Sequence, residues 1–263
     1  MTSISTSKQG QSEATELKER GLQAAFAFNM RIFVEQFQNE YTYWHFDLNC
    51  GSGYNSDVGC IGSPLAFLRA ADDEGCNNYF AGFCDINQDF LGELAAREEI
   101  ANNPRCYVFQ GSNASLIDAI PEIITHGGDQ VEQAVGMVVC DPNGTDVPLD
   151  QLGWLSSICP RLDFVVNWNS RAFKLRKSCG HNVRTMPEAL YSLNKRHWHI
   201  SPPFGNFRFT LLVGKNTPTG DLSQVGFFHI ESQPGQAIFD KCAFPSRYNC
   251  REMPGRQTLL RFG

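Results

Sequence analysis

Residues able to do chemistry stand at the ends of apolar runs. The run starting at Tyr41 closes on Asp47-Leu48-Asn49-Cys50-Gly51-Ser52-Gly53. Gly51 and Gly53 have no side chains, so a ligand can approach the backbone there. The next apolar run, YFAGFCDIN (79–87), carries a second acid, Asp85. A Gly-rich turn after one strand and an acid ending the next suit an adenosine cofactor. The acid would accept hydrogen bonds from the ribose hydroxyls. A third stretch, VVCDPNG (138–144), sets Asp141 and Asn143 on a turn fixed by Pro142. Asp-Pro-Asn-Gly is also an ordinary β-turn sequence. Gly111, Ser112 and Asn113 follow CYVFQ, and Asn167, Asn169 and Ser170 close LDFVVNWNS.

Several site types are excluded. The glycines do not read G-x-G-x-x-G, which disfavours a dinucleotide pyrophosphate site, and no G-x-x-x-x-G-K-[ST] occurs. No two cysteines stand close enough for a C-x-x-C zinc knuckle, and the six histidines form no H-E-x-x-H pattern. No metal is expected.

The elements that must position these residues follow from periodicity. Residues 13–40 carry Leu17, Phe28, Ile32, Phe33 and Phe37 at helical spacing. Strands are expected at 41–48, 79–87, 106–113, 134–144 and 162–170. Helices are expected from Pro64 with Ser63 as cap, and over 88–101, 115–125 and 149–158. This alternation implies βαβ units and a mainly parallel sheet with helices on both faces. From about residue 195 the segments HWHI, FRFTLLVGKN and VGFFHIES read as antiparallel strands added at one edge. Residues 1–12, rich in Ser, Thr and Gln, read as a mobile tail, and 13–263 as one domain.

The chain of 263 residues has 42% apolar residues, 19% charged residues and a net charge of −6. It has ten cysteines, several of them inside apolar runs, where a reduced thiol packs as a small hydrophobe. No window approaches the roughly 18 apolar residues of a membrane helix. The N-terminus has no signal-peptide core, so a cytoplasmic location without membrane contact is expected. The negative charge argues against a polyanionic partner until its distribution is read. Residues 171–199 hold seven Lys or Arg against Glu188 alone, a local +6 that leaves −12 elsewhere. Phe173, Tyr191 and Trp198 lie among them, a pattern suited to phosphate contact and base stacking. The alternative is a solvated loop and helix with counter-charges elsewhere.

The segments HFDLNCGSGYN (45–55), GSPLAFL (62–68), FCDINQDFLGEL (83–94) and VVCDPNG (138–144) resemble the Rossmann-like class I S-adenosylmethionine-dependent methyltransferases. More narrowly, they resemble the three-Cys-motif partner proteins. The resemblance implies that Asp47, Asn49, Gly51 and Gly53 line the methionine end of S-adenosylmethionine. It implies Asp85 at the ribose, and Ser112 and Asn113 near the adenine. Asp141, Pro142 and Asn143 would face the reacting group. Amino-methyltransferases of DNA carry (Asp/Asn/Ser)-Pro-Pro-(Tyr/Phe) at this place, and here the second Pro and the aromatic residue are absent. Ser201-Pro202-Pro203-Phe204 fits that motif by letters but lies beyond the fifth strand. It reads as a loop between strands, or as an aromatic wall of the target pocket through Phe204.

The expected activity is methyl transfer to a nucleobase amine of DNA or RNA. Lys174, Arg176, Lys177, Arg184, Lys195 and Arg196 would hold phosphates, and Trp198 or Phe204 would stack on the base. A protein partner is a further expectation. The rivals are a non-catalytic nucleic-acid-binding or accessory protein on a degenerate methyltransferase fold, and a methyltransferase of small molecules or proteins.

Overall fold

The structure, a computed structural model, describes residues 13–56, 59–142, 146–170, 172–173, 179, 184–204 and 209–242. Helix α1 (Glu13–Phe37) leads into strand β1 (Tyr43–Asp47), a two-residue hairpin β2 (Tyr54–Asn55) and β3 (Cys60–Ile61), and α2 (Ser63–Asp73). Then come β4 (Tyr79–Asp85), α3 (Gln88–Ala95), α4 (Glu98–Ala101), β5 (Cys106–Gln110) and α5 (Asn113–His126). β6 (Val135–Cys140), α6 (Leu149–Ile158) and β7 (Leu162–Asn169) complete the βαβ series. The rest comprises α7 (Met186–Ser192), β8 (His197–Ile200), β9 (Phe209–Lys215), a 3₁₀ turn (Leu222–Val225), β10 (Phe228–His229) and α8 (Gln233–Cys242).

One eight-stranded sheet runs β10-β8-β9-β7-β6-β1-β4-β5. The pairs β4–β5, β1–β4, β1–β6 and β6–β7 are parallel. β9 is antiparallel to both β7 and β8, and β10 is antiparallel to β8. Antiparallel strands therefore do extend one edge. The strand order reverses at β1, where successive crossovers leave in opposite directions and open a crevice at the carboxyl ends.

Both faces of the sheet are covered. Trp44, Phe46, Val138, Phe164 and Val166 pack with Ile117 and Ile120 of α5 and Leu152 and Leu155 of α6. Tyr43, Met137, Val139 and Val165 pack with Phe26 and Phe33 of α1 and Phe67 of α2. In α1 the buried stripe is Leu22, Phe26, Met30 and Phe33, one residue per turn, whereas Leu17 is half exposed. The first turns of α1 therefore run past the core and onto the carboxyl rim.

Three local features depart from expectation. Gly62, not Ser63, is the N-cap of α2, because the Ser63 hydroxyl turns away to Asp47. The helix expected over 88–101 breaks at Ala96–Arg97, where the Arg97 Nε donates to the Ser52 carbonyl at 2.9 Å. α7 was not legible from apolar periodicity, although it opens on a complete capping box between Thr185 and Glu188. The cysteines among the described residues are free thiols, most of them buried.

Candidate active site

The carboxyl rim is built from β1 outward. Asp47 ends β1 with no exposed surface. Its Oδ2 accepts from the Ser63 Oγ at 2.5 Å and its Oδ1 from the Asn49 backbone N–H at 3.1 Å. Burial pushes its pKa up to about 7, against the pull of those two bonds, and the charges of Asp141 and Glu19 add to the rise. Asp47 thus shapes the Gly-rich turn from beneath instead of lining it, which corrects its expected ligand contact.

The turn itself has two different glycines. Gly53 has φ +72°, and a Cβ there would stand 2.6 Å from the Leu94 side chain, so it packs against α3. Gly51 has φ +59°, and a Cβ there would meet nothing within 4 Å. That position opens on free space. The Gly51 N–H donates to Asp85 Oδ2 at 3.0 Å, and the Asn87 N–H donates to Oδ1 at 2.8 Å. Each Asp85 oxygen keeps a lone pair for a further donor. Sequence reasoning missed Ile86, which follows Asp85 and is 79% exposed, a large apolar side chain left bare beside the turn.

Ser112 caps α5 by accepting from the Ser115 N–H, and the Asn113 amide donates to the Asp146 carbonyl. Both are partly exposed at the same rim, at the carboxyl end of β5.

Asp141 follows β6 and, by the β1–β6 register, stands level with Asn49. Asn167 Nδ2 donates to its Oδ1 at 2.6 Å, and Lys18 Nζ reaches its Oδ2 at 2.5 Å. Lys18 is also 3.2 Å from Glu19 Oε1. These α1 side chains were not anticipated, since nothing local in a helix tells which strand ends it will cover. Burial alone would lower the Lys18 pKa, but the carboxylates of Asp141 and Glu19 reverse this and raise it. Burial lifts Glu19 to about 7, with Lys18 opposing and Asp141 adding to the rise. Pro142 is buried, and Asn143 lies outside the described residues.

Of the seven Lys and Arg in the basic strip, the structure describes Arg184, Lys195 and Arg196. Lys174, Arg176 and Lys177 lie outside the described residues. β8 runs parallel to β7, because both oppose β9, so the start of β8 lies at the amino rim, away from Asp141. Lys195 is buried there, donating to the Leu162 carbonyl at 2.7 Å and the Pro160 carbonyl at 3.3 Å, with its ammonium 4.3 Å from the Phe164 ring. Burial lowers its pKa to about 8, with Asp163 opposing. Arg196 is exposed at the same far rim. Trp198 is buried, and its ring covers Gly214. Lys195 and Trp198 are therefore core residues, which corrects their expected contact with phosphate and base. Arg184 pairs with Asp150 at 2.7 Å.

Ser201-Pro202-Pro203-Phe204 is a loop between β8 and β9, with Phe204 bridging to Phe209. It lies at the carboxyl rim, and a Cβ on Gly21 of α1 would sit 3.5 Å from the Phe204 ring.

No family model matches the chain, and no curated protein matches it. Solved structures do. Protein LPL1258 of Legionella pneumophila str. Philadelphia 1 (family model DUF519) aligns over 85% of this chain and 92% of its own, with TM-score 0.52 and 9% identity. The bifunctional kinase-methyltransferase WbdD aligns over 79% of this chain and 41% of its own, with TM-score 0.52 and 11% identity. Human methyltransferase-like protein 13, solved in complex with SAH, aligns over 88% and 93%, with TM-score 0.46 and 14% identity. At these identities the likeness is one of fold: the chain carries the Rossmann-like sheet of the class I methyltransferases, with antiparallel strands at its C-terminal edge.

Proposed function

We propose that the protein is an S-adenosylmethionine-dependent methyltransferase acting on the amino group of a nucleobase in DNA or RNA. One observation carries the reading. At the β1–β6 crevice, Gly51 opens on free space beside Asp85 and the bare Ile86, with Asp141 on the other side. Those features fit an adenosine cofactor. Asp85 has acceptor capacity left for ribose hydroxyls, and Ile86 offers an apolar face to a purine. Ser112 and Asn113 would edge the adenine, and Asn49, Gly51 and Gly53 the methionine end. The kinase-methyltransferase likeness supports the class, while the narrower likeness to three-Cys-motif partner proteins rests on the sequence segments alone.

Bound, the cofactor supplies an electrophilic methyl group. The chain's own work is alignment and desolvation of the accepting nitrogen. Asp141 and Asn143 would orient the amine and accept its developing positive charge, and Phe204 would wall the base. Lys174, Arg176 and Lys177, which follow Phe173 in sequence, would hold phosphates. A base in a duplex must leave the stack to reach such a site.

A second reading has its own support. Lys18 occupies one oxygen of Asp141 and Asn167 the other, as in a site retired from catalysis. Incubation with methyl-labelled cofactor and separate DNA, RNA, protein and small-molecule pools decides. Label in nucleic acid supports the proposal, label in protein or small molecules moves the acceptor, and no label in any pool supports the second reading.

A further inference from the structure

A cleft opens at the amino rim of the sheet, at the opposite end of the strands from Asp141. On one side stand Asn29, Phe33 and Phe37, a stripe along α1 with one residue per turn. On the other stand Val135, which starts β6, and Arg161 and Asp163, where the chain enters β7. The cleft encloses about 60 Å³, room for about five waters.

Its lining includes an uncommitted carboxylate. Asp163 is 8% exposed, yet both of its partners meet the same oxygen. Oδ2 accepts from the Asn29 amide at 2.6 Å and lies 3.0 Å from the Lys215 ammonium. Oδ1 accepts from none of the described residues and is not sealed from solvent. The group is held from behind, because Lys215 is itself buried and the Tyr43 hydroxyl donates to Asn29 at 2.8 Å. A carboxylate taken this far from water needs its remaining lone pairs satisfied. Arg161 also lines the cleft, with its guanidinium 5.8 Å from the centroid of the Phe37 ring. Its Nη1 donates to Gln133 at 3.0 Å, while Nε and Nη2 donate to none of the described residues. The cleft thus offers one carboxylate oxygen in need of a donor and one guanidinium edge in need of an anion.

We propose that this cleft binds the head group of a free α-amino acid, the ammonium on Asp163 Oδ1 and the carboxylate on Arg161. The nitrogen, the α-carbon and the carboxylate match its volume. Lys215 already neutralises Asp163, so a bare cation gains little there. A simple anion leaves Oδ1 without a donor. The zwitterion supplies both groups and adds no net charge. Phe33 and Phe37 give the α-carbon an apolar wall, and the amino acid's own side chain leaves through the open mouth. The site is separate from the β1–β6 crevice and does not depend on the cofactor reading.

The test is calorimetry on the full chain with L-alanine and no S-adenosylmethionine. One saturable site is expected. N-acetyl-L-alanine, which lacks the ammonium, and L-alaninamide, which lacks the carboxylate, should each bind at least about 10-fold more weakly. Arg161 is only half-buried, so Arg161→Gln should keep the melting temperature. It should weaken L-alanine by about 10- to 100-fold and leave the already weak L-alaninamide unchanged. Asp163→Asn should weaken L-alanine similarly, and if that variant does not fold, the Arg161 variant and the blocked ligands still decide. No saturable heat with L-alanine up to about 10 mM overturns the proposal. So does equal binding of either blocked form. An affinity unchanged in Arg161→Gln puts the amino acid elsewhere and overturns it as well.

Discussion

Removing the Lys18 ammonium should unsettle the rim more than any exposed ion pair does. Lys18 stands 2.5 Å from Asp141 and 3.2 Å from Glu19, and it and Asp141 are less than one-fifth exposed. Lys18→Met leaves both carboxylates without their cation. Breaking a buried pair in this way costs about 3–5 kcal/mol, and the residual exposure here places the loss near 3 kcal/mol at pH 8. The control is Arg20→Met, two residues along the same helix. Its partner Glu16 lies at 2.5 Å, yet the two are 72% and 50% exposed, so the cost is only about 0.3–0.5 kcal/mol. The Lys18 cost should shrink as pH falls. Glu19 already titrates near 7 with its cation present, and without it the pKa rises further. Between the unfolded and folded values the native state takes up protons that the unfolded chain does not, so the variant gains stability as pH drops through 7. Urea unfolding at pH 8 and pH 5.5, followed by the buried Trp44 and Trp168, reads both effects. A Lys18→Met loss no larger than that of Arg20→Met, or one growing as pH falls, would refute the placement of α1 over Asp141.

Three further perturbations follow from the same geometry. His45 is buried against Phe67, with ring centroids 3.8 Å apart and neither ring nitrogen partnered among the described residues, and burial pushes its pKa down to about 3. Only the unfolded chain binds that proton between about pH 6.5 and 3, so this group removes about 1.4 kcal/mol of stability per unit as pH falls through the window. His45→Phe should flatten the slope in denaturant titrations, and an unchanged slope would show the ring charged in the fold. Lys195→Met should lower stability by about 1–3 kcal/mol while leaving nucleic-acid affinity unaltered. Weaker binding at unchanged stability would return Lys195 to the phosphate contacts. Asp141→Asn should retain cofactor affinity by calorimetry yet lose methyl transfer by about 100-fold or more. Transfer at the wild-type rate would remove Asp141 from the site.

The strand ends were legible because their signals are local. An apolar run closing on Asp47, Asp85 or Asp141 and a turn places those acids at one rim once the strands are parallel, and α6 and β8 fall where periodicity put them. What was not legible depends on the path between elements. The basic run 171–199 is continuous in sequence, but β8 runs parallel to β7, so the chain must return to the amino rim before β8 starts. Lys195 and Arg196 therefore emerge at the opposite rim from Asp141. Lys18 and Glu19 were hidden for the converse reason. On α1 they read as polar residues of an amphipathic helix, and only its packing by Phe26 and Phe33 pushes its first turns over the crevice. Ile86 gave no signal, because a single apolar residue in a turn is bland until its 79% exposure is seen.

The most direct test of the rim as a cofactor site is a calorimetric titration of S-adenosylmethionine into the wild type and Asp85→Ala. Asp85 would supply charge-assisted acceptors to the ribose, worth about 1.5–3 kcal/mol, so one saturable site is expected, about 10- to 100-fold weaker in the variant. No heat with the wild type, or equal affinity in the two proteins, would contradict it.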